Sequence, residues 1–123
     1  MIQTVKRWLG WETAETLPMP AIKPMDDRRS PRWPTVRAAH LKREPFCRAC
    51  GTRDNLSVHH KIPFHRAPEI ELDPGNLITL CESDAHNCHL IFGHLLSWHA
   101  FNPTVVIDAD CYRSKVDHRE EPP

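Results

Sequence analysis

The sequence predicts a small α+β fold with a thin apolar core. The chain has 123 residues, which suits one domain of ordinary size. Alternating apolar and polar residues indicate short strands in its middle part, and segments with helical spacing lie on either side. Only 40% of the residues are hydrophobic and twelve are proline, so we expect a constraint other than burial to help hold the fold.

The N-terminal part of the chain separates into an arm and a helix. Residues 1–34 are assigned to a partly basic N-terminal arm. We expect a short helix in its first sixteen residues and an extended linker over residues 17–34, which contain five prolines. The segment 35–44 contains no proline, has apolar or small residues at helical positions, and is followed by Pro45. A helix is therefore predicted over 35–44. It opens a domain that we assign to residues 35–107.

Two short strands are predicted next. Apolar or histidine side chains alternate with polar ones over residues 56–62, which is the pattern of a half-buried strand, and Pro63 ends it. The sequence Asp-Pro-Gly-Asn at 73–76 predicts a turn. The apolar run 77–80 after this turn predicts the second strand.

A last helix and a tail complete the predicted elements. Ile91, Leu95 and Trp98 recur at helical spacing and are expected to form a core stripe on a helix that ends before Pro103. Residues 108–123 are polar, and we expect a frayed tail.

Four of the five cysteines form two pairs that suit one tetrahedral metal ion. They are Cys47, Cys50, Cys81 and Cys88. The first pair is a C-x2-C unit followed by Gly51, which permits a tight reversal of the chain. The start of the chain lacks a secretory segment, so we expect a reducing compartment in which metal thiolates are favoured over disulfides. A closed set of four sulfurs predicts a structural Zn²⁺.

The second cysteine pair departs from the usual spacing, because it is C-x6-C rather than C-x2-C. Two alternatives therefore stay open: the thiols are free and fill the core, or His86 replaces one of the sulfurs. Cys111 is expected to be a spare thiol.

Histidines and one asparagine occupy the ends of the predicted strands and the start of the last helix. They are His59, His60, Asn76 and His89. Neighbouring residues of a strand point to opposite faces, so His59 and His60 are not expected to bind the same ion. Each of these residues taken alone also fits a structural role, and a histidine such as His60 is commonly a hydrogen-bonded core residue.

The order of these motifs resembles that of the HNH endonuclease family. The matching segments are CRACG, LSVHHKIPF, NLITLC and NCHLIFGH, and the resemblance extends over residues 45–103. It implies a ββα-metal core, also called a His-Me finger, of a small stand-alone branch that carries a four-cysteine structural zinc. It also implies an enzyme that hydrolyses phosphodiester bonds of DNA with a divalent metal.

The resemblance implies a role for each matching residue. His60 would be the general base that takes a proton from the attacking water, because a neutral imidazole can do so near neutral pH. Asn76 would orient the catalytic loop through hydrogen bonds. His59, where the family more often has aspartate, and His89 would bind the catalytic ion. His94 is left open between a third ligand and a helix-surface residue.

The identity of the catalytic ion and the role of other polar residues are less constrained. Mg²⁺, Mn²⁺, Ni²⁺ and Zn²⁺ all stay open for the catalytic site. His65 is expected to cap a loop, with contact to phosphate as the alternative. The acidic residues of the long loop are expected to form a solvated face; they are Glu69, Glu71 and Asp73.

Charge is distributed unevenly, although the chain is neutral as a whole. Residues 1–55 hold 11 Lys and Arg against 6 Asp and Glu, and residues 56–123 hold 5 against 10. The N-terminal half is therefore basic and could follow a phosphate backbone. Five residues are predicted to contact nucleic acid: Arg37, Lys42, Arg43, Arg48 and Arg53.

The expected partner is DNA, in duplex form, with a phage or mobile-element protein as a further possibility. No apolar stretch is long enough to cross a membrane, so we expect a cytoplasmic protein without membrane contact. Two alternative functions stay open. One is a zinc-stabilised nucleic-acid-binding module without catalysis, and the other is a toxin or packaging component that acts on RNA or under a partner's control.

Overall fold

A two-stranded antiparallel sheet lies at the centre of the molecule. The computed structural model describes residues 29–122. The helices and strands are α1 (Trp33–Arg43), β1 (Leu56–His60), β2 (Leu77–Cys81), a π-helix (His89–Gly93) and α2 (Val105–Asp117). β1 pairs with β2 so that Leu56 lies opposite Cys81 and His60 opposite Leu77. The predicted α+β class is confirmed.

Helix α1 is fixed to the sheet by the residue that ends it. Glu44 accepts a hydrogen bond from the main-chain N–H of Thr79 through its carboxylate at 2.7 Å, and from the Thr79 hydroxyl through its carbonyl at 2.9 Å. The main-chain N–H of Arg48 donates to the Thr79 carbonyl at 2.9 Å. The outer edge of β2 therefore pairs with the segment after α1, which brings the first cysteine pair against the sheet.

The core is small, as the composition predicts. Its larger fully buried side chains are Ile78, Leu80, Thr79 and Val105, and the remainder consists mainly of cysteine and alanine. Val105 and Ala109 belong to α2, so the expectation of a frayed tail after residue 107 is wrong for most of this segment. The sequence signal is weak because only these two small side chains of α2 are buried.

The last predicted helix also differs from the expectation. The chain forms only a short π-helix and then reverses, with positive φ at Leu95 (52°) and Leu96 (70°). The N–H of Leu96 donates to the carbonyl of Leu90 at 2.8 Å, which closes this reversal. Ile91, Leu95 and Trp98 are consequently exposed rather than forming a core stripe.

Most of the predicted N-terminal arm, with its short helix, lies outside the described residues. Within residues 29–122, no helix is both long enough and apolar enough to span a bilayer.

Candidate metal centres and active site

The four paired cysteines converge on one point. One sulfur from each of Cys47, Cys50, Cys81 and Cys88 lies within 4.8 Å of the others, and no disulfide joins them. The Sγ atoms of Cys50 and Cys81 are 3.7 Å apart. Sulfurs at the usual distance of about 2.3 Å from a tetrahedral zinc ion lie about 3.8 Å apart, so the cluster fits such an ion. The positive φ of Gly51, 86°, allows the chain to turn back between the first pair and the sheet.

The electrostatics of the cluster also favour a bound cation. A hydrogen bond from Cys88 lowers the pKa of Cys47 to about 4, whereas burial raises the pKa of Cys50 to about 11. The hydrogen bond to Cys47 raises the pKa of Cys88 in turn. One thiolate therefore forms readily, but the further negative charges need a cation to compensate them.

The geometry of the cluster bears on whether His86 replaces one of the sulfurs. His86 lies at the margin, with Nδ1 3.8 Å from the Cys81 sulfur, and the four sulfurs converge without it. Cys111 is exposed on α2 and takes no part in the cluster.

Three histidines form a second cluster. One ring nitrogen from each of His59, His89 and His94 lies within 4.8 Å of the others. Nε2 of His89 is 3.1 Å from Nδ1 of His59. Two nitrogens that are each about 2.0–2.1 Å from a shared ion lie about 2.9–3.4 Å apart for ligand angles of about 90–110°. The separation therefore fits a common cation.

Hydrogen bonds orient two of these rings toward the cluster. His89 donates from Nδ1 to the carboxylate of Glu82 at 2.7 Å, and His94 donates from Nδ1 to the carbonyl of Ala100 at 2.7 Å. Each ring therefore keeps its lone pair on Nε2. Nε2 of His59 is buried and has no hydrogen-bond partner within the described residues. A cation between the three rings would give a partner to the lone pairs of His89 and His94 and to Nδ1 of His59, which faces Nε2 of His89.

Burial favours the neutral form of two of the clustered histidines. Burial lowers the pKa of His59 to about 3, and the charges of three neighbouring imidazoles add to the effect. Burial also lowers the pKa of His89, although Glu82 opposes this shift. Gly93 lets the rings approach, because a Cβ added there would lie 3.0 Å from Cε1 of His59. Neutral imidazoles are the form that binds a metal ion.

His60 stands apart from this cluster. Its Nε2 donates to the main-chain carbonyl of Glu71 at 2.9 Å, so the lone pair is on Nδ1. The ring of Trp33 packs on it with centroids 4.5 Å apart. Burial lowers the pKa of His60, which is therefore neutral at pH 7. His60 and the three clustered histidines line one cavity of about 310 Å³.

Asn76 joins the start of β2 to the segment after β1. Its Oδ1 accepts from the N–H of Ile62 at 2.9 Å, and its Nδ2 donates to the Ile62 carbonyl at 3.1 Å. The N–H of Lys61 donates to the Asn76 carbonyl at 2.8 Å. This buried asparagine thus fixes the chain directly after His60.

The acidic loop does not form a uniformly solvated face. Glu71 is only 4% exposed, whereas Glu69 and Asp73 are exposed. The Glu71 carboxylate accepts from the main-chain N–H of Ser30 at 3.1 and 3.2 Å, and its carbonyl orients His60. The expectation of a solvated Glu71 is therefore wrong, because both its polar groups are used to join distant segments.

The other predicted residues lie around the cavity or away from it. His65 is exposed and lines the cavity, and none of the five predicted basic residues lines it. Arg48 forms two hydrogen bonds with Asp110, at 2.8 and 3.0 Å, so its charge is compensated. Arg53 lies 5.9 Å from the ring centroid of Phe46. Lys42 and Arg43 are exposed, and Arg37 is half-buried.

Sequence reasoning missed several residues of the site. Glu82 directly follows Cys81, and this adjacency to a predicted metal ligand is its one signal in the sequence. Trp98, expected in the core, packs its ring against His89 and His94, with centroids 5.2 and 4.9 Å apart. Trp33 and Arg29 carry no signal that links them to His60, because they are distant from it in the chain.

Comparison with known proteins agrees with the motif order. Residues 47–92 match the family model described as HNH endonuclease, which confirms the resemblance. The matched segment contains the four clustered cysteines, His59, His60, Asn76 and His89, and it ends before His94. No curated protein and no solved structure matches the chain.

Proposed function

We propose, starting from the HNH match over residues 47–92, that the chain is a metal-dependent endonuclease that hydrolyses phosphodiester bonds of duplex DNA. The observation that carries this proposal is that the histidine cluster and the separate His60 line the same cavity. One set of imidazoles is suited to hold a cation, and the other imidazole is suited to move a proton.

His60 acts as the general base in this proposal. The Glu71 carbonyl holds the proton on Nε2, so Nδ1 takes the proton of the attacking water. The water oxygen bonds to phosphorus as the bond from phosphorus to the 3′ oxygen breaks, and the 3′ oxygen leaves with that electron pair. The resulting imidazolium keeps its hydrogen bond to Glu71. Asn76 acts as a positioning residue, because it fixes the chain that follows His60.

His59, His89 and His94 hold the catalytic cation in this proposal. When bound, a divalent ion supplies positive charge that stabilises the phosphate oxygens and the leaving oxygen. Three nitrogen donors favour Zn²⁺ or Ni²⁺ over Mg²⁺, which prefers oxygen ligands. The four cysteines hold a separate structural Zn²⁺, since a closed sulfur set leaves no position for water or substrate.

DNA contacts outside the cavity come from the basic N-terminal half of the chain. Arg37, Lys42, Arg43 and Arg53 are proposed to contact phosphates, whereas Arg48 is better explained by its ion pair with Asp110. Such contacts position a duplex and carry little sequence information. Choice of the cleavage site is therefore expected to depend on DNA shape or on a protein partner.

A plasmid-nicking assay with Mg²⁺, Mn²⁺, Ni²⁺ or Zn²⁺ tests the proposal. His60→Ala should lower the cleavage rate at least about 100-fold, since the general base is lost. His60→Asn should be equally inactive, although it leaves less empty space at the position of the imidazole than alanine does. His118→Ala serves as the control and should cleave like the wild type. This exposed histidine at the end of α2 donates from its ring to the Ser114 carbonyl and lies outside the cavity as formed by residues 29–122.

The same assay separates the alternative functions. A wild-type protein that binds plasmid but never cuts it in any metal would support the non-catalytic zinc module instead. Cleavage of single-stranded RNA in preference to duplex DNA would support the RNA-directed alternative. Zinc content and circular dichroism of the His60 variants should match the wild type, and a lost fold would indicate a structural histidine.

A further inference from the structure

We propose that Arg29 binds the phosphodiester beside His60, an assignment that rests on the proposed nuclease function. Arg29 lines the cavity that contains the histidine cluster. Its Nη1 lies 3.4 Å from Nδ1 of His60, the nitrogen that carries the lone pair. A phosphate attacked by water at this nitrogen must lie within reach of the guanidinium.

Two aromatic rings hold the guanidinium at this position. Its Cζ lies 5.0 Å from the ring centroid of Phe64 and 5.8 Å from that of Trp33. Cation–π contacts of this kind fix a guanidinium while leaving its N–H groups available at the ring edges. The planar group is thus suited to donate two hydrogen bonds to phosphate oxygens.

The main chain next to Arg29 is anchored by a buried residue of the site. The carboxylate of Glu71 accepts from the N–H of Ser30, and the carbonyl of the same residue orients His60. One buried residue therefore fixes both the base and the segment that carries the arginine. This coupling keeps the two groups together although they are 31 residues apart in the chain.

The contact between Arg29 and His60 also indicates what substrate binding would change. In the free protein, Nδ1 of His60 is the acceptor that the guanidinium faces. A phosphate oxygen carries negative charge and is a stronger acceptor than a neutral imidazole nitrogen. Bound phosphate would draw the guanidinium away, and Nδ1 would then face the attacking water.

Arg29 differs in its position from the basic residues that the sequence predicts to contact DNA. Within residues 29–122, it is the only Arg or Lys that lines the cavity. A cation at the scissile phosphate contributes to the reaction itself, whereas peripheral cations only increase the general affinity for DNA.

Binding of a short fluorescent DNA duplex to the zinc-containing protein, without added catalytic metal, tests this proposal. Anisotropy titrations between 50 and 200 mM salt should show that Arg29→Ala weakens binding about tenfold. The slope of log affinity against log salt should become shallower by about 0.9, because one phosphate contact is lost. Arg29→Lys should recover most of the salt slope but only part of the affinity, since lysine cannot form the two-pronged contact.

Arg66→Ala is the matched control. Arg66 is also exposed and packs its guanidinium on an aromatic ring, that of Phe101 at 4.9 Å, but it does not line the cavity. It should bind DNA like the wild type. Where the wild type cleaves, Arg29→Ala should lower kcat/KM at least about tenfold, and Arg66→Ala should not.

The outcomes distinguish this proposal from the nuclease function. Wild-type affinity and salt slope in Arg29→Ala, or an equal loss in Arg66→Ala, would overturn the assignment even if the protein cleaves DNA. A wild type that binds without cleaving would overturn the nuclease function, while a selective loss in Arg29→Ala would still support phosphate binding. A wild type that binds no duplex would overturn both.

Discussion

Glu82 is expected to strengthen cation binding by the histidine cluster without being a ligand. Its carboxylate lies 2.7 Å from Nδ1 of His89, so it fixes both the orientation of the ring and the position of its proton. Loss of such a carboxylate typically weakens metal binding by about 10–100-fold. The Glu82 side chain is 46% exposed, so water can replace part of the hydrogen bond. We therefore expect Glu82→Ala to weaken binding by about tenfold, or about 1.4 kcal/mol.

Calorimetric titration of Ni²⁺ into protein that retains its structural zinc would measure this effect. Ni²⁺ suits imidazole ligands and can be distinguished from the zinc in the cysteine cluster. Glu82→Gln should lose less affinity than Glu82→Ala, because the amide oxygen can still accept from Nδ1. Asp84→Ala provides a matched control, since Asp84 is an exposed carboxylate of the same segment and no hydrogen bond or ion pair joins it to the cluster within the described residues.

Two results would refute this reasoning. The first is a Ni²⁺ affinity of Glu82→Ala within about twofold of the wild type, because the hydrogen bond would then contribute nothing to binding. The second is an equal loss in Asp84→Ala, which would indicate a general effect of negative charge near the cluster.

Three further predictions concern stability. Cys47→Ser should release the structural metal and lower the melting temperature, since a thousandfold loss of metal affinity removes about 4 kcal/mol of stability; unchanged zinc content and melting would contradict it. Leu95→Gly should raise the free energy of unfolding by about 0.5–1 kcal/mol, because Leu95 has a φ of 52° and is half-exposed; a lower free energy of unfolding would show that its side chain is needed for packing. Without the catalytic metal, burial lowers the pKa of His59 to about 3 in the folded protein, against about 6.5 in the unfolded chain. Because the unfolded chain then binds the proton first, His59 should have little effect on stability above about pH 6.5 and should remove about 2 kcal/mol by pH 5. Urea unfolding of His59→Gln should show a correspondingly weaker loss, and an identical pH dependence would count against it.

The parts of the fold that the sequence predicts are those with strong local signals. The alternation over 56–62 and the turn at 73–76 correspond to β1 and to the start of β2. The cysteine spacing predicts the sulfur cluster, because two cysteine pairs of this kind are typical of a chain that brings four thiols to one metal ion. The assignment of His59 and His60 to different tasks follows from the strand geometry, and the structure brings only His59 into the histidine cluster.

The parts that the sequence does not predict depend on tertiary contacts. Ile91, Leu95 and Trp98 have helical spacing, but the chain reverses after Gly93, which packs against the rings of His59 and His89. Local spacing cannot reveal this reversal, since it depends on contacts with a strand some thirty residues earlier. His94 is brought into the histidine cluster by the same reversal, so its spacing from His89 along an ideal helix was not informative.

Buried polar residues were the hardest part of the site to predict. Glu71 is a charged residue in a loop, and such residues are usually at the surface. Its carboxylate and its carbonyl nevertheless accept hydrogen bonds from other segments of the chain. Nothing in the neighbouring sequence indicates burial, because the residue is not part of a periodic element. Arg29 and Trp33 contact His60 only because α1 and the segment before it fold over the end of β1.

The cysteine and histidine clusters, which are both candidate metal centres, are joined by directly bonded residues. Cys81 precedes Glu82, and Cys88 precedes His89, so each residue of the second cysteine pair is bonded to a residue that builds the histidine centre. A cation that fixes these two sulfurs also fixes the starting points of the Glu82 carboxylate and the His89 imidazole, whose hydrogen bond is 2.7 Å long. The long C-x6-C spacing is then understandable, because the chain between the sulfurs must bring Glu82 back beside His89. In this arrangement a metal ion bound by the cysteines would have a second effect besides stability, since it would set the geometry of His89, which the π-helix presents to the cavity.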